Sequence, residues 1–323
     1  MKSWIAVLLV SATAAFATGE VAAQSFPTRT IKIVVANPPG GQTDVATRVI
    51  AAEMTNILKQ PVVIENKPGA NSNLGAAWVK TQPADGYTLI VTAINNFGSN
   101  PALIKDMPHD PVKDFRMIVH TISSTNVIVV APDSPYKTLQ DILKAAREQP
   151  GKLTYGSAGA GSSMYLFMEM LKSMAKVDIM HIPYQGSAKA NVDVMGGQIT
   201  MQFDSMPGAW SLVEGKRLRA IAVSTAKRHP IAPDVPTVAE SGVPGFNASS
   251  WLGLAAPAGT PDEIIQVLNK AANQAMQTPA VRDKLLGMGT TPVGGTSAEF
   301  TKFVETQVAT WKQVMAAAGV QPK

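Results

Sequence analysis

The chain has 323 residues, a formal net charge of +5, no cysteine, 46 % hydrophobic residues and 16 % charged ones. The length allows two domains of ordinary size. The lack of cysteine excludes disulfides, thiol nucleophiles, iron–sulfur clusters, cysteine-held zinc and a lipidated N-terminal cysteine. Lys and Arg are scattered, with no basic block or aromatic-interleaved stripe, which argues against nucleic-acid binding and fits a small anionic ligand.

In chain order, Lys2, the apolar run Trp4–Ala17 and the small residues Val21-Ala22-Ala23 predict a signal peptide over 1–23. Cleavage is expected after Ala23, giving an exported, periplasmic chain. No later stretch reaches ~18 consecutive apolar residues, so the mature chain is not expected to be embedded in a membrane. Strands are predicted at Ile31–Ala36, Val62–Glu65, Thr88–Ala93, Met117–Thr121, Val127–Ala131, Leu153–Tyr155, Asp178–Ile182, Ile199–Phe203, Arg219–Val223 and Leu252–Ala256. Helical patterns fill most of the gaps, and the alternation indicates an α/β architecture with mainly parallel sheets. Thr260-Pro261-Asp262-Glu263 and Thr296-Ser297-Ala298-Glu299 read as helix starts.

Two glycine-bearing turns carry the chemistry. Asn37-Pro38-Pro39-Gly40-Gly41-Gln42-Thr43-Asp44 joins an apolar strand to a helix whose apolar side holds Val45, Val49, Ile50, Met54, Ile57 and Leu58. Tyr155–Ser163 repeats the pattern with Gly156, Gly159, Gly161, Ser157, Ser162 and Ser163. Glycine allows close backbone approach, and the unpaired N–H groups of a helix start form an anion site. The two turns are expected to face one another across a cleft and grip one anion. Thr125–Ala131 and Ser249–Pro257, if side by side, are crossover strands that hinge one lobe against another.

A resemblance extends along nearly the whole mature chain. Pro39–Asp44, Pro61–Ala70, Ala84–Leu89, Asn100–Leu103, His181–Ser187, Gly196–Gln198, Asp234–Glu240 and Ala256–Pro261 follow one another in family order. On these motifs the chain resembles the Bug/TctC extracytoplasmic solute receptors of tripartite tricarboxylate transporters. The resemblance implies a type II-like periplasmic binding protein, with two α/β lobes, a hinge and an interlobe cleft. It implies domain I over 24–125 and 250–323 and domain II over 126–249. It also implies a small organic carboxylate ligand and delivery to two membrane transporter subunits.

The expected ligand set is Gly40, Gly41, Gln42 and Thr43 as N–H donors, with Thr43 as the helix cap, and Ser157, Gly161, Ser162 and Ser163 from the second turn. Asp44 either complements the first helical turn or touches a donor group on the ligand. Asn95 and Asp204 follow strands and are candidates to line the cleft. Tyr165 stands where the family commonly has a histidine, and Asn37 where it has an aromatic. A wall of Tyr165 and Phe97 would favour an aromatic mono- or dicarboxylate. The receptor is expected to be a monomer without metal or cofactor. Presentation of the ligand to a sensor protein is an alternative. Serine hydrolysis is disfavoured, because there is no G-x-S-x-G elbow and His109, His120, His181 and His229 show no arrangement that marks a base. Dinucleotide binding rests on a lone glycine turn, with no phosphate-loop lysine to support it.

Overall fold

The computed structural model describes residues 26–159 and 161–322; the predicted signal peptide and its cleavage after Ala23 lie outside them. The elements are β1 (Ile31–Val35), α1 (Gln42–Leu58), β2 (Val62–Asn66), α2 (Asn73–Val79), β3 (Thr88–Ala93), α3 (Asn100–Leu103), β4 (Phe115–Ser124) and β5 (Asn126–Val130). They continue with α4 (Leu139–Glu148), β6 (Thr154–Ser157), α5 (Ser163–Ala175), β7 (Met180–Pro183), α6 (Ser187–Met195), β8 (Met201–Ser205), α7 (Met206–Glu214) and β9 (Arg219–Val223). The chain ends with β10 (Ser250–Pro257), α8 (Asp262–Gln277), α9 (Pro279–Gly287), β11 (Thr290–Gly294) and α10 (Ser297–Ala317).

The strands form two sheets, one ordered β11-β4-β10-β3-β1-β2 and the other β7-β6-β8-β5-β9. Each has the same plan. Three parallel strands, β2-β1-β3 or β7-β6-β8, are followed by one antiparallel strand, β10 or β5, contributed from beyond a crossover. This is an α/β fold of the two-lobed periplasmic-binding-protein kind. Only Thr125 separates β4 in one sheet from β5 in the other. The chain returns at β10, where Ser250 pairs with Ser124.

The central strands are sealed on both faces: Ile31, Ile33, Val34 and Val35 of β1 and Val127 to Val130 of β5 have no solvent exposure. Such near-continuous apolar strands suit sheets covered on both faces; β5 is antiparallel to both its neighbours, so the sheets are mixed and not mainly parallel as expected. The buried stripe of α1 runs through Ala46, Ile50 and Met54, while Val45 is exposed, so the helix is turned slightly from the sequence expectation. Thr296 caps α10 as predicted: its Oγ1 accepts from Glu299 N–H at 3.2 Å, and Glu299 Oε2 accepts from Thr296 N–H at 2.7 Å. Thr260 does not cap α8. Its hydroxyl donates to the Pro257 carbonyl, and the helix begins two residues later, at Asp262. Phe167 of α5 and Trp311 of α10 stack with centroids 6.0 Å apart, joining the sides of the molecule in one apolar core.

Candidate functional site

β1 lies between β2 and β3, and β6 lies between β7 and β8, so each sheet has a point where successive connections leave in opposite directions. In open α/β sheets, ligands bind outside the carboxyl ends of the strands at such points. A cavity of about 270 Å³ lies there. One side is made by Asn37 after β1, Gln42 and Thr43 of α1, Asn71, Ala93 at the end of β3, and Ile94 and Asn95 after it. Ala158, Gly161 and Ser162, between β6 and α5, and Ser163, the first residue of α5, supply the other. The back is formed by the paired strands β4 and β10 through Ile122, Ser124, Ser250, Trp251 and Leu252; Thr125–Ala131, expected beside Ser249–Pro257, pairs in the other sheet instead. None of the lining residues is ionisable.

The donors come from the ends of two helices. Gly41 occupies the N-cap of α1 with extended backbone, φ −76° and ψ 167°, and its carbonyl accepts from Val45 N–H. Among the described residues, the N–H groups of Gln42 and Thr43 have no acceptor. Thr43 is therefore inside the helix and is not its cap; its carbonyl accepts the Thr47 hydroxyl at 2.6 Å. In α5 the cap is Ser162, whose Oγ accepts from Tyr165 N–H at 3.3 Å and donates to the Gly159 carbonyl at 2.7 Å. Ser163 N–H heads the helix without an acceptor among the described residues. Its Oγ accepts from Asn126 Nδ2 at 3.3 Å, which leaves the Ser163 proton available to donate.

Of the residues expected from sequence, Gln42, Thr43, Asn95, Gly161, Ser162 and Ser163 come together on the cavity wall. Six others do not line it. Gly40 N–H already donates to Asp44 Oδ2 at 3.0 Å. Gly41 offers its carbonyl to the helix. Asp44 is 3 % exposed and points back into the turn, where it accepts from Gly40 N–H, from Arg48 Nε and from Asn66 Nδ2. The Arg48 guanidinium, helped by those N–H donors, holds its carboxyl down at about 2 against the opposing effect of burial. Of its two sequence readings, the geometry is that of the turn-fixing one.

Ser157 is buried beneath its turn, where its Oγ meets His181 Nε2 at 2.7 Å and accepts Gly159 N–H at 3.0 Å. This Ser–His pair was invisible in the sequence, because β7 brings His181 alongside Tyr155 only in the sheet. His181 packs against the Tyr155 and Tyr165 rings, each 4.9 Å away, and hydrogen-bonds no carboxylate among the described residues. Tyr165 is thus part of the packing under the turn, and Phe97 is core, set edge-to-face against Phe115. The expected Tyr165–Phe97 wall does not form; Trp251 is the aromatic residue on the cavity. Asp204 is also fully buried, bonded by Asn191 Nδ2 at 2.7 Å, and burial pushes its carboxyl above the usual range.

Sequence reasoning missed Asn71, Ser72, Ser124, Ser250 and Trp251. The first two lie in a stretch, Ala70-Asn71-Ser72, with positive φ of 48°, 51° and 68°. Consecutive non-glycine residues in this region are strained and concentrate at functional sites. Asn71 Nδ2 is pinned to Asn100 Oδ1 at 2.7 Å, and both Asn37 Nδ2 and Asn95 Nδ2 donate to Ser72 Oγ, at 3.2 and 2.9 Å.

Comparison with known proteins gives a consistent match. The profile described as "Tripartite tricarboxylate transporter family receptor" covers residues 46–320. Protein BugT of Bordetella pertussis is 31 % identical over 324 residues, covering 100 % of this chain and 99 % of BugT. The structure described as "R. palustris Rpa4515 with adipate" superposes with a TM-score of 0.80 at 35 % identity, covering 92 % of this chain and all of that one. MatC (Rpa3494) from Rhodopseudomonas palustris with bound malate gives 0.76 at 32 % identity, covering 90 % and 99 %.

Proposed function

The chain belongs to the tripartite tricarboxylate transporter receptor family and is a solute-binding receptor of the Bug/TctC type, not an enzyme; on that premise we propose that it binds a small organic carboxylate in the cavity between its sheets. We also propose that it works in the periplasm as a monomer and delivers its ligand to the two membrane subunits of such a transporter. No helix among the described residues is long and apolar enough to cross a membrane. The lobes are 24–125 with 250–323, and 126–249, hinged at Thr125 and at the return into β10. Membership of the two sheets supports this division.

The observation that carries the reading is the meeting of two helix starts, from two sheets, over one neutral cavity. A carboxylate accepting N–H groups there gains about 1.5–3 kcal/mol for each charge-assisted hydrogen bond before desolvation is subtracted. Each helix terminus adds about 0.3–1 kcal/mol. The adipate and malate held by relatives support an organic acid as cargo. Ile94, Ile122 and Leu252 give its carbon body an apolar wall; Trp251 also lines the cavity, with its ring packed against Phe300 and Phe303, and this aromatic neighbour is what favours an aromatic mono- or dicarboxylate.

Calorimetric titration of the mature protein with aliphatic and aromatic acids, each beside its methyl ester, tests the proposal. Acids should bind and their esters should not, and binding should change tryptophan fluorescence in the native protein but far less in Trp251→Phe. Esters that bind as tightly as their acids overturn the carboxylate reading. Aliphatic acids that bind while every aromatic acid fails remove only the aromatic preference.

A further inference from the structure

We propose that the cavity reads a second feature of its ligand: a neutral hydrogen-bond donor, a hydroxyl or primary amide, received by the side-chain carbonyls of Asn37 and Asn95. This rests on the carboxylate reading and narrows it. Asn37 and Asn95 both line the cavity, and both turn Nδ2 toward the single hydroxyl of Ser72. That hydroxyl has one proton. It can therefore donate to at most one amide oxygen, so at least one asparagine must donate to it whichever way the amides are placed. In the arrangement present, both donate, and each Oδ1 is left without a donor among the described residues.

The anchor is held in place. Ser72 is 5 % exposed and follows Ala70 and Asn71 in the left-handed stretch, with Asn71 tied to Asn100. At most one of the two amides can turn its oxygen to Ser72, so at least one oxygen stays without a partner there. A ligand that covers these oxygens without offering a proton displaces water and leaves them unpaired, a penalty that sites built for a hydroxyl impose on analogues lacking it. The donor should be neutral. An ammonium group would need a facing carboxylate, and none lines the cavity; the nearby Asp44 is already bonded to Arg48 and turned into its own loop.

The test is calorimetry on the mature protein with matched probes: propanoate against lactate, succinate against malate, and benzoate against the three hydroxybenzoates and their methoxy counterparts. At least one hydroxy acid should bind about tenfold more tightly than both its parent and, where there is one, its methyl ether. In Asn95→Leu that ratio should fall to about one; Ser72→Ala, which frees both amides, should lower it also and serves if Asn95→Leu does not fold. Parents and ethers that match their hydroxy acids throughout overturn the inference and leave the carboxylate reading standing. If no acid in the set binds, both fall.

Discussion

Asn126 Nδ2 lies 3.3 Å from Ser163 Oγ, so the first residue beyond the crossover touches the hydroxyl at the head of α5. The same side chain accepts from Ser250 Oγ at 3.2 Å, and its backbone N–H donates to Ser224 Oγ at 3.0 Å. One fully buried asparagine therefore ties both crossings to the cavity wall.

Replacing it tests that link. In Asn126→Asp, the side chain at this position no longer donates to Ser163 and instead draws the Ser163 proton to itself, away from an anion. A fixed negative charge is also placed next to the site. Affinity for a carboxylate ligand should fall at least tenfold, or about 1.4 kcal/mol, while Asn126→Ala should cost folding stability of about 1–3 kcal/mol for the partners it strands. Calorimetry and denaturant titration measure the two effects. Unchanged affinity in a folded Asn126→Asp protein would show that Ser163 does not donate to the ligand.

The two glycines of the second turn separate crowding from backbone strain. Gly159 and Gly161 have φ of +101° and +88°, so alanine at either position should cost about 1–2 kcal/mol of stability. A Cβ at Gly159 meets nothing within 4 Å, whereas one at Gly161 lies 2.9 Å from Asn71 Nδ2. That amide is pinned to Asn100 and cannot yield freely. Only Gly161→Ala should lose ligand affinity as well, by about tenfold. Equal affinities in the two variants would remove the Gly161–Asn71 contact from any account of closure.

Asp44 gives the fold a defined acid weakness. Its folded carboxyl sits at about 2, below the ordinary 3.8, because the charged form is bonded by Arg48, Gly40 N–H and Asn66. A depressed folded value means the unfolded chain binds the proton first. The stabilisation is complete above about pH 4 and disappears as pH falls toward about 2. Asp44→Asn should be less stable than the parent by about 1–2 kcal/mol at neutral pH, and the two should converge near pH 2. Denaturant titrations across that range would reveal a constant gap if the carboxylate contributes nothing through its charge.

Much of this fold could be read before it was seen. Most of the ten anticipated strands are apolar runs whose burial leaves little choice of structure; β2 and β7, only partly buried, are the exceptions. The eleventh, Thr290–Gly294, escaped because Pro292 breaks its donor ladder and its residues alternate with exposure, as befits an edge. Glycines marked both turns correctly as loops. They did not reveal which N–H groups were already taken, and so Gly40 and Ser157 were credited with a donor and a hydroxyl that the turns use internally. Asn71 and Ser72 left no glycine signal, since their left-handed backbone is imposed by the asparagine network around them. Ser250 and Trp251 belong to a segment recognisable as a crossover strand, and Ser124 lies just before the other, but only pairing in the sheet places them behind the cavity.

The neutrality of the cavity wall reaches beyond binding strength. With no ionisable lining residue, the receptor has no group there to trade a proton with its cargo, so the acidity of the captured molecule governs how affinity changes with pH. Nor does any side chain of the lining cancel the cargo's charge. Under the proposed function, a filled receptor therefore carries a whole extra unit of negative charge for every carboxylate it holds, a difference that the proposed transporter subunits would meet on docking.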